Sequence, residues 1–250
     1  MRLLIVRHGA PNYEKDTLTE QGWREAELLA PHIVRMNPDY ICLSPFGRAQ
    51  DTAKKTLELT GIKPQVFDWL CEFDGGLPAP FDKTKWHTDP KIWTSDPQWR
   101  SPDWKESPLF QNSEFLRVYE EDRRSLDGYL AEHGYVRDGM LWHVTEEFYD
   151  VNETIVFFCH LGRTVTLLSQ ILDMPWIPTA HQIWIPTSSV TEIIFERSHY
   201  DRSIAIPRIA RLSDVSHLEE AGIARCKSGF LMPVEGYSRD TDPDLQLAQV

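Results

Sequence analysis

Short apolar runs alternate along this chain with segments in which apolar residues recur at helical spacing. The runs carry few polar positions, which is typical of strands covered on both faces of a sheet. We predict strands at residues 2–6, 39–43, 65–70, 154–159, 190–196 and 202–210. Because strands that alternate with helices form layered folds, the pattern predicts an α/β fold. We expect a three-layer α/β/α sandwich with a mixed, mostly parallel sheet of about five or six strands.

Four segments have the spacing of amphipathic helices, and they cover residues 20–34, 45–57, 115–130 and 161–172. Thr19 is placed to cap the first helix, and Pro31 is predicted to kink or divide it. Ser44 and Pro45 supply an N-cap followed by proline at the first helical position, so Arg48 falls in the opening turn of the second helix. Residues 142–148 fit either a helix or an extended segment.

Periodicity disappears between residues 73 and 112. This segment holds six of the 17 prolines and four of the nine tryptophans, namely Trp86, Trp93, Trp99 and Trp104. A long segment without its own periodicity is usually a functional lid or binding segment. We predict that residues 1–250 form one domain with this segment as an inserted cap, and a subunit interface is the alternative use of its aromatic residues. Residues 236–250 are polar and Asp-rich, which predicts a loose tail.

Composition and charge narrow the function classes. The 250 residues are 41% hydrophobic and carry a formal net charge of -12, and no basic run is present, so a nucleic-acid partner is not expected. Apolar runs stay well below the ~18 residues of a membrane span, and the N-terminal run is too short for a signal peptide. We therefore expect no membrane partner and a cytoplasmic location. The sequence does not indicate an oligomeric state.

Arginine and histidine side chains follow three of the predicted strands. Arg7 and His8 follow the first strand, Arg48 lies shortly after the second, and His160 follows the run at 154–159. Because ligands bind at the carboxyl ends of strands in open α/β sheets, we expect these side chains to meet. A guanidinium matches phosphate oxygens, a neutral imidazole is a nucleophile, and the helix that begins at Leu161 offers free N–H groups to an anion. The pattern predicts a phosphoryl-transfer site.

Four motifs carry a family resemblance. They are L-I-V-R-H-G near the N-terminus, L-S-P-F-G-R-A-Q-D-T-A at residues 43–53, the acidic Glu72, and F-F-C-H-L-G-R at residues 157–163. In this order and spacing they resemble the histidine phosphatase superfamily, also called phosphoglycerate mutase-like. The resemblance covers residues 1–72 and 113–218, and it leaves out the Trp- and Pro-rich segment between them.

The resemblance implies a role for each of five residues. His8 would be the nucleophile that forms a phosphohistidine, and Glu72 would be the proton donor. Arg7, Arg48 and His160 would form the phosphate pocket. The resemblance implies no metal and no cofactor.

The chain departs from the common family pattern at two places. Many relatives carry an acidic residue and then Ser or Thr after R-H-G, with an Asn six positions beyond the histidine, whereas Ala10, Pro11 and Glu14 stand here. Asn12 is a candidate to replace that asparagine in substrate binding. His160 lies between Cys and Leu, where relatives usually have Ser and Gly. The sequence that glycolytic mutases carry beyond that asparagine is missing here, which favours a phosphatase over a mutase.

We interpret the chain as a hydrolase, a metal-independent histidine acid-type phosphatase that acts on a small-molecule phosphate ester through phospho-His8. Two alternatives stay open, a phosphoglycerate-type mutase and a catalytically silent phospholigand-binding protein. Asp74 competes with Glu72 for the role of the acid. A metal hydrolase is disfavoured because no HxxxH spacing is present and two arginines would repel a divalent cation. Sugar phosphates, nucleotide-like phosphates and small organic phosphates are all compatible with the sequence.

Three other polar residues have a structural interpretation. Arg163 lies in the first turn of a predicted helix, where a cation opposes the helix dipole, so we expect an exposed side chain. We interpret Ser188 as a turn residue and His217 as a structural histidine.

Overall fold

The structure is a computed structural model that describes residues 1–81 and 88–226. The predicted tail at residues 236–250 and the side chain of Trp86 lie outside the described residues. Within the two described ranges, no helix is both long enough and apolar enough to cross a membrane.

The described residues form ten strands and seven α-helices. The strands are β1 Arg2–Arg7, β2 Pro11–Asn12, β3 Thr17–Leu18, β4 Tyr40–Leu43, β5 Gln65–Val66, β6 Tyr135–Asp138, β7 Leu141–Val144, β8 Thr154–Cys159, β9 Val190–Arg197 and β10 Ile204–Asp214. The helices are α1 Glu20–Arg35, α2 Gly47–Thr60, α3 Pro90–Trp93, α4 Glu114–Glu132, α5 Leu161–Leu172, α6 Trp176–Gln182 and α7 Ser216–Glu219. Short 3₁₀ helices cover Asp68–Leu70, Pro97–Arg100, Trp104–Glu106 and Glu146–Phe148.

Eight of the strands form one mixed sheet in the order β5-β4-β8-β1-β9-β10-β7-β6. The pairs β5–β4, β4–β8 and β8–β1 are parallel, whereas the four pairs from β1–β9 to β7–β6 are antiparallel. Only β9 and β7 therefore run against the other six strands of this sheet. In the register, Arg7 lies opposite Cys159 and Leu43 lies opposite Phe158. The three strand ends that precede the candidate residues thus lie side by side.

Side chains of β1 alternate between two hydrophobic cores. Leu4 and Val6 pack in a core that includes Leu29 from α1 and Ala53 from α2. Leu3 and Ile5 belong to the larger core on the opposite face, to which α4, α5 and α6 contribute. Burial on both faces explains the unbroken apolar runs of β1 and β8. The predicted three-layer α/β/α fold is confirmed.

The predicted cap segment packs aromatic side chains into the larger core of its own chain. Trp99 and Trp104 are buried. The ring centroids of Phe81 and Trp99 lie 4.9 Å apart, and those of Trp104 and Phe110 lie 5.3 Å apart in an edge-to-face arrangement. Such aromatic pairs add to the stability that burial itself gives. Much of the aromatic content of the segment is therefore used inside the chain.

Several local predictions differ from the structure. Pro31 does not divide α1, because the buried face of this helix gains more from packing than one backbone hydrogen bond gives. The expected strand at residues 65–70 ends at Val66 and continues as a 3₁₀ turn. Of the two alternatives for residues 142–148, the extended one holds as far as Val144, and a 3₁₀ turn follows. The pairing of β7 with β6 was not predicted by the pattern. Short strands with exposed positions leave a weak periodic signal.

His217 lies in a buried polar cluster with Ser188 and His32. Its Nε2 lies 3.1 Å from the Ser188 hydroxyl, and its ring centroid lies 5.5 Å from that of His32. Burial and the neighbouring His32 lower the pKa of His217 to about 4, although Asp214 acts in the opposite direction. The folded protein therefore keeps this imidazole neutral at pH values where an exposed histidine is charged.

This lowered pKa predicts a loss of stability in mild acid. The unfolded chain takes up the proton near the ordinary histidine pKa of about 6.5, whereas the folded chain resists it until about pH 4. Between pH 7 and pH 5, His217 should therefore remove about 2 kcal/mol from the free energy of unfolding. Urea unfolding at both pH values measures this, and His217→Gln should flatten the dependence. The control is His143→Gln, which changes an exposed histidine. If His217→Gln leaves the dependence of the unfolding free energy on pH unchanged, the lowered pKa of His217 is contradicted.

Candidate active site

The backbone of His8 is fixed between two neighbouring segments. Its N–H donates to the carbonyl of Cys159 at the end of β8, at 2.9 Å. Its carbonyl accepts from Ser188 N–H at 3.1 Å, in the turn before β9. Ser188 adopts a positive φ of 54° in that turn, a conformation that is uncommon for residues other than glycine. These two hydrogen bonds therefore hold the backbone of His8, and with it the start of the imidazole side chain, in a fixed position at the end of β1.

The hydrogen bonds of His8 define its tautomer. Its Nδ1 lies 2.8 Å from the carbonyl oxygen of Gly9. Because a carbonyl only accepts, Nδ1 carries the proton and the lone pair lies on Nε2. Burial lowers the pKa of His8 well below the usual value, and the charges of Arg7 and Arg48 lower it further. The side chain is a neutral imidazole with a nucleophilic Nε2.

A close contact with α1 supports the loop after His8. Ala10 N–H donates to Glu25 Oε2 at 2.8 Å, and Gly9 N–H donates to the Thr52 hydroxyl at 2.9 Å. A Cβ atom at Gly22 would lie 2.2 Å from the carbonyl oxygen of Ala10, so only glycine permits this approach. Glu25 is fully buried, and burial raises its pKa. Our sequence analysis missed Glu25, although a glutamate on the apolar stripe of α1 was a signal.

The two arginines approach the site from different elements. Arg7 is 2% exposed and its Nη1 donates to the carbonyl of Ile185 at 2.6 Å. Arg48 lies in the first turn of α2, as predicted, and its Nη1 lies 2.5 Å from Asp16 Oδ1. Asp16 Oδ2 also accepts from Gly47 N–H at 2.7 Å, so this carboxylate caps α2. No sequence pattern indicated the role of Asp16.

Aromatic rings flank the guanidinium of Arg48. Its Cζ lies 4.7 Å from the ring centroid of Phe46 and 5.4 Å from that of Tyr13. The Phe46 ring also lies 5.2 Å from His160 in an edge-to-face arrangement. Because aromatic faces attract cations, both rings favour this position of the arginine.

His160 lies beside His8 and is fully buried. Their ring centroids are 5.2 Å apart. His160 Nε2 lies 2.8 Å from the Ser44 hydroxyl, which also accepts from Phe46 N–H. Ser44 therefore holds His160 and is not the N-cap that we predicted, since Phe46 occupies that position. The Nδ1 of His160 is buried and has no hydrogen-bond partner among the described residues.

The charge state of His160 follows from its surroundings. Burial lowers its pKa well below the usual value, and His8 and the arginines around it act in the same direction. A neutral imidazole with an unused buried nitrogen can still make one hydrogen bond to a ligand atom.

Glu72 lies at the N-terminus of α5. Its Oε1 accepts from Phe73 N–H at 2.9 Å and from Arg163 N–H at 3.0 Å. Burial raises the pKa of Glu72, and this effect exceeds the lowering by those hydrogen bonds and by the charge of Arg7. A carboxyl group with a raised pKa can donate a proton near neutral pH. Asp74, the competing carboxylate, is exposed.

Arg163 contradicts the prediction of an exposed side chain. It is 3% exposed, its Nε donates to the carbonyl of Cys71 at 2.8 Å, and its Nη1 lies 2.5 Å from Asp122 Oδ2. The prediction considered only the dipole of α5. These two acceptors lie far away in the sequence, and they compensate the buried charge.

The two remaining candidates have different positions. Asn12 lies in β2, where its Oδ1 accepts from Lys15 N–H at 3.2 Å in a turn. Leu161 begins α5 directly after His160, and the first N–H groups of a helix have no intrahelical acceptor.

The structure brings His8, His160 and Arg48 together, and the charge of Arg7 acts on both histidines. Over residues 1–81 and 88–226, no three His, Cys, Asp or Glu residues are grouped to hold a metal ion.

Comparisons with known proteins point to one family. The family model described as histidine phosphatase superfamily (branch 1) matches residues 3–203. A comparison with curated proteins found no match.

Solved structures share the fold at low sequence identity. A phosphoserine phosphatase mutant from Entamoeba histolytica, in complex with phosphoserine, is 19% identical with a TM-score of 0.57, and the match covers 87% of this chain and 98% of that one. A mycobacterial glucosyl-3-phosphoglycerate phosphatase complexed with VO3 is 21% identical with a TM-score of 0.54, over 85% of this chain and 98% of that one. At these identities the likeness shows the fold.

The buried, neutral state of the two histidines can be tested directly. An ordinary histidine is half protonated near pH 6.5, whereas burial and the arginines should keep both His8 and His160 neutral at that pH. Nitrogen-15 NMR of histidine-labelled protein reports both protonation and tautomer, and His8→Asn and His160→Asn assign the signals. We expect the His8 spectrum of an Nδ1–H tautomer. Midpoints near pH 6.5 for these two residues would contradict the described electrostatics.

Proposed function

Because this chain belongs to branch 1 of the histidine phosphatase superfamily, we propose that it is a metal-independent phosphomonoesterase that acts through a phosphohistidine at His8. The observation that carries the proposal is the tautomer of His8, which leaves a nucleophilic Nε2 beside two arginines and a second histidine. The substrate would be a small-molecule phosphate ester. The named activities of the similar structures, on phosphoserine and on glucosyl-3-phosphoglycerate, agree with that class.

In the first step, His8 Nε2 attacks the phosphorus atom and the bond to the ester oxygen breaks. Arg7 and Arg48 hold the phosphoryl oxygens and balance their charge, which is the main requirement for phosphoryl transfer. His160 contributes through Nδ1, the buried atom with no hydrogen-bond partner in the described part of the chain. The N–H of Leu161 adds the positive end of a helix dipole.

Glu72 would supply the proton that the leaving alkoxide needs. Its raised pKa supports this role, since a carboxyl group must start protonated to act as the acid. In the second step, the resulting carboxylate takes a proton from water while that water attacks phospho-His8. The phosphorus–nitrogen bond then breaks, inorganic phosphate leaves, and Glu72 is protonated again. Asp74 is exposed and lacks this environment, so it is the second choice.

The nucleophile assignment predicts a trapped intermediate. The enzyme is mixed with a phosphate ester that carries phosphorus-32, and the reaction is quenched rapidly without acid. The label should then be found on the protein, held by a bond that is stable in alkali and labile in acid. His8→Asn should lose the label and lower kcat by at least about 10³-fold, as expected when covalent catalysis is removed. His143→Asn, an exposed histidine, is the matched control. Full turnover in the His8 variant would overturn the proposal, and EDTA should leave the wild-type rate unchanged.

The acid assignment predicts a dependence on the leaving group. Glu72→Gln should slow hydrolysis of glycerol 2-phosphate by about 10²-fold or more, because an alkoxide needs a proton to leave. The burst of p-nitrophenolate that accompanies phosphorylation of His8 by p-nitrophenyl phosphate should be much less affected, since p-nitrophenolate leaves without a proton, whereas the later hydrolysis of phospho-His8 should slow with both substrates. Asp74→Asn is the matched control and should act like the wild type on both. The opposite result, with the selective loss in Asp74→Asn, would move the acid to Asp74.

A further inference from the structure

One buried ion pair near the site has no part in the proposed chemical steps. Arg163 and Asp122 lie 2.5 Å apart between Nη1 and Oδ2, and their side chains are only 3% and 12% exposed. Removing two charges from water is costly, and a buried pair often adds little net stability. A pair in this position therefore calls for an explanation other than stability.

The ion pair is joined to the segment that carries Glu72. Arg163 donates through its backbone N–H to Glu72 Oε1 and through Nε to the carbonyl of Cys71. Its guanidinium also lies 5.7 Å from the ring centroid of Phe73. One residue thus contacts three consecutive residues of the segment that carries Glu72. Asp122 fixes the other end of the guanidinium from α4.

We propose that Arg163 and Asp122 act together as positioning residues that hold the Glu72 carboxyl group in place and set its charge state. Arg163 clamps the backbone and supplies a positive charge, and Asp122 offsets part of that charge. The inference rests on the proposed function, because it assigns a use to the acid of that reaction.

The charges around Glu72 determine the sign of each effect. Arg7 from β1 and Arg163 from α5 lower the pKa of Glu72, and burial raises it by more. The Cys159 thiol from β8 interacts with Glu72, and burial keeps that thiol protonated. From α4, Asp122 interacts with both Arg163 and Asp74. Loss of the Arg163 charge should raise the pKa of Glu72, and loss of the Asp122 charge should lower it.

The test measures the ionisation of Glu72 without relying on turnover. Carbon-13 NMR of carboxyl-labelled glutamate follows the pKa of each Glu in the full-length protein, and Glu72→Gln identifies the signal. Arg163→Gln should raise this pKa by roughly one unit, the size of a lost opposite charge at short range. Asp122→Asn should shift it downward. A purely structural pair would not move the pKa in opposite directions.

Two further variants separate charge from geometry. Arg163→Lys keeps the charge but not the planar fork, so the pKa of Glu72 should stay within about half a unit of the wild type. The rate at which glycerol 2-phosphate phosphorylates His8 in this variant should fall more than the rate with p-nitrophenyl phosphate, because the acid is no longer held in place. If Arg163→Gln does not fold, the double variant with Asp122→Asn removes both charges and should still raise the pKa.

A matched control uses an exposed pair on the same helix. Arg117 and Glu121 lie 2.8 Å apart with about half-exposed side chains, and Arg117→Gln should leave the Glu72 signal unchanged. Shifts in the same direction for Arg163→Gln and Asp122→Asn, or no shift in either, would overturn the inference. Failure of the phosphohistidine experiment would reject the phosphatase and leave these titrations readable, so the two failures are distinguishable.

Discussion

The hydrogen bond from His8 N–H to the carbonyl of Cys159 joins two strands at the point where both end. The parallel register of β1 and β8 sets this bond, and it decides where both histidines can lie. Because β4 pairs with the other side of β8, Ser44 lies within hydrogen-bond distance of His160. The helix α2 follows β4 and carries Arg48 in its first turn. A shift of one residue in this register would turn the buried side chains of β1 to the opposite face and separate the site residues.

The second constraint is electrostatic. Each buried cation near the site has a fixed partner: Asp16 for Arg48, the Ile185 carbonyl for Arg7, and Asp122 for Arg163. These acceptors offset the cost of burying guanidinium groups next to two imidazoles that burial keeps neutral. The proposed reaction needs this difference in protonation between neighbouring groups: a neutral imidazole with a free lone pair on Nε2, and a carboxyl group that carries a proton.

The sequence was sufficient to predict what depends on local pattern. β1 and β8 are buried on both faces, so their apolar runs were visible, and the family motifs then located His8 and His160 at their ends. The burial of Arg163 could not be predicted, because Asp122 lies 41 positions away. The capping of α2 by Asp16 depends in the same way on a contact over 31 positions. The strands β6 and β7 were not predicted as a pair, because a short hairpin with exposed positions has almost no periodicity.

The carboxylate of Asp16 has a consequence for the thermodynamics of binding. In the proposed reaction, a phosphate that reaches Arg48 meets a guanidinium that already holds an anion. Binding is then an exchange of one anion for another, and its net free energy is the difference between two attractions. The Asp16 carboxylate also competes with the inorganic phosphate that the reaction forms, since it can bind the Arg48 guanidinium again as the product leaves. A pocket arranged in this way gives up some affinity for phosphate and gains faster product release.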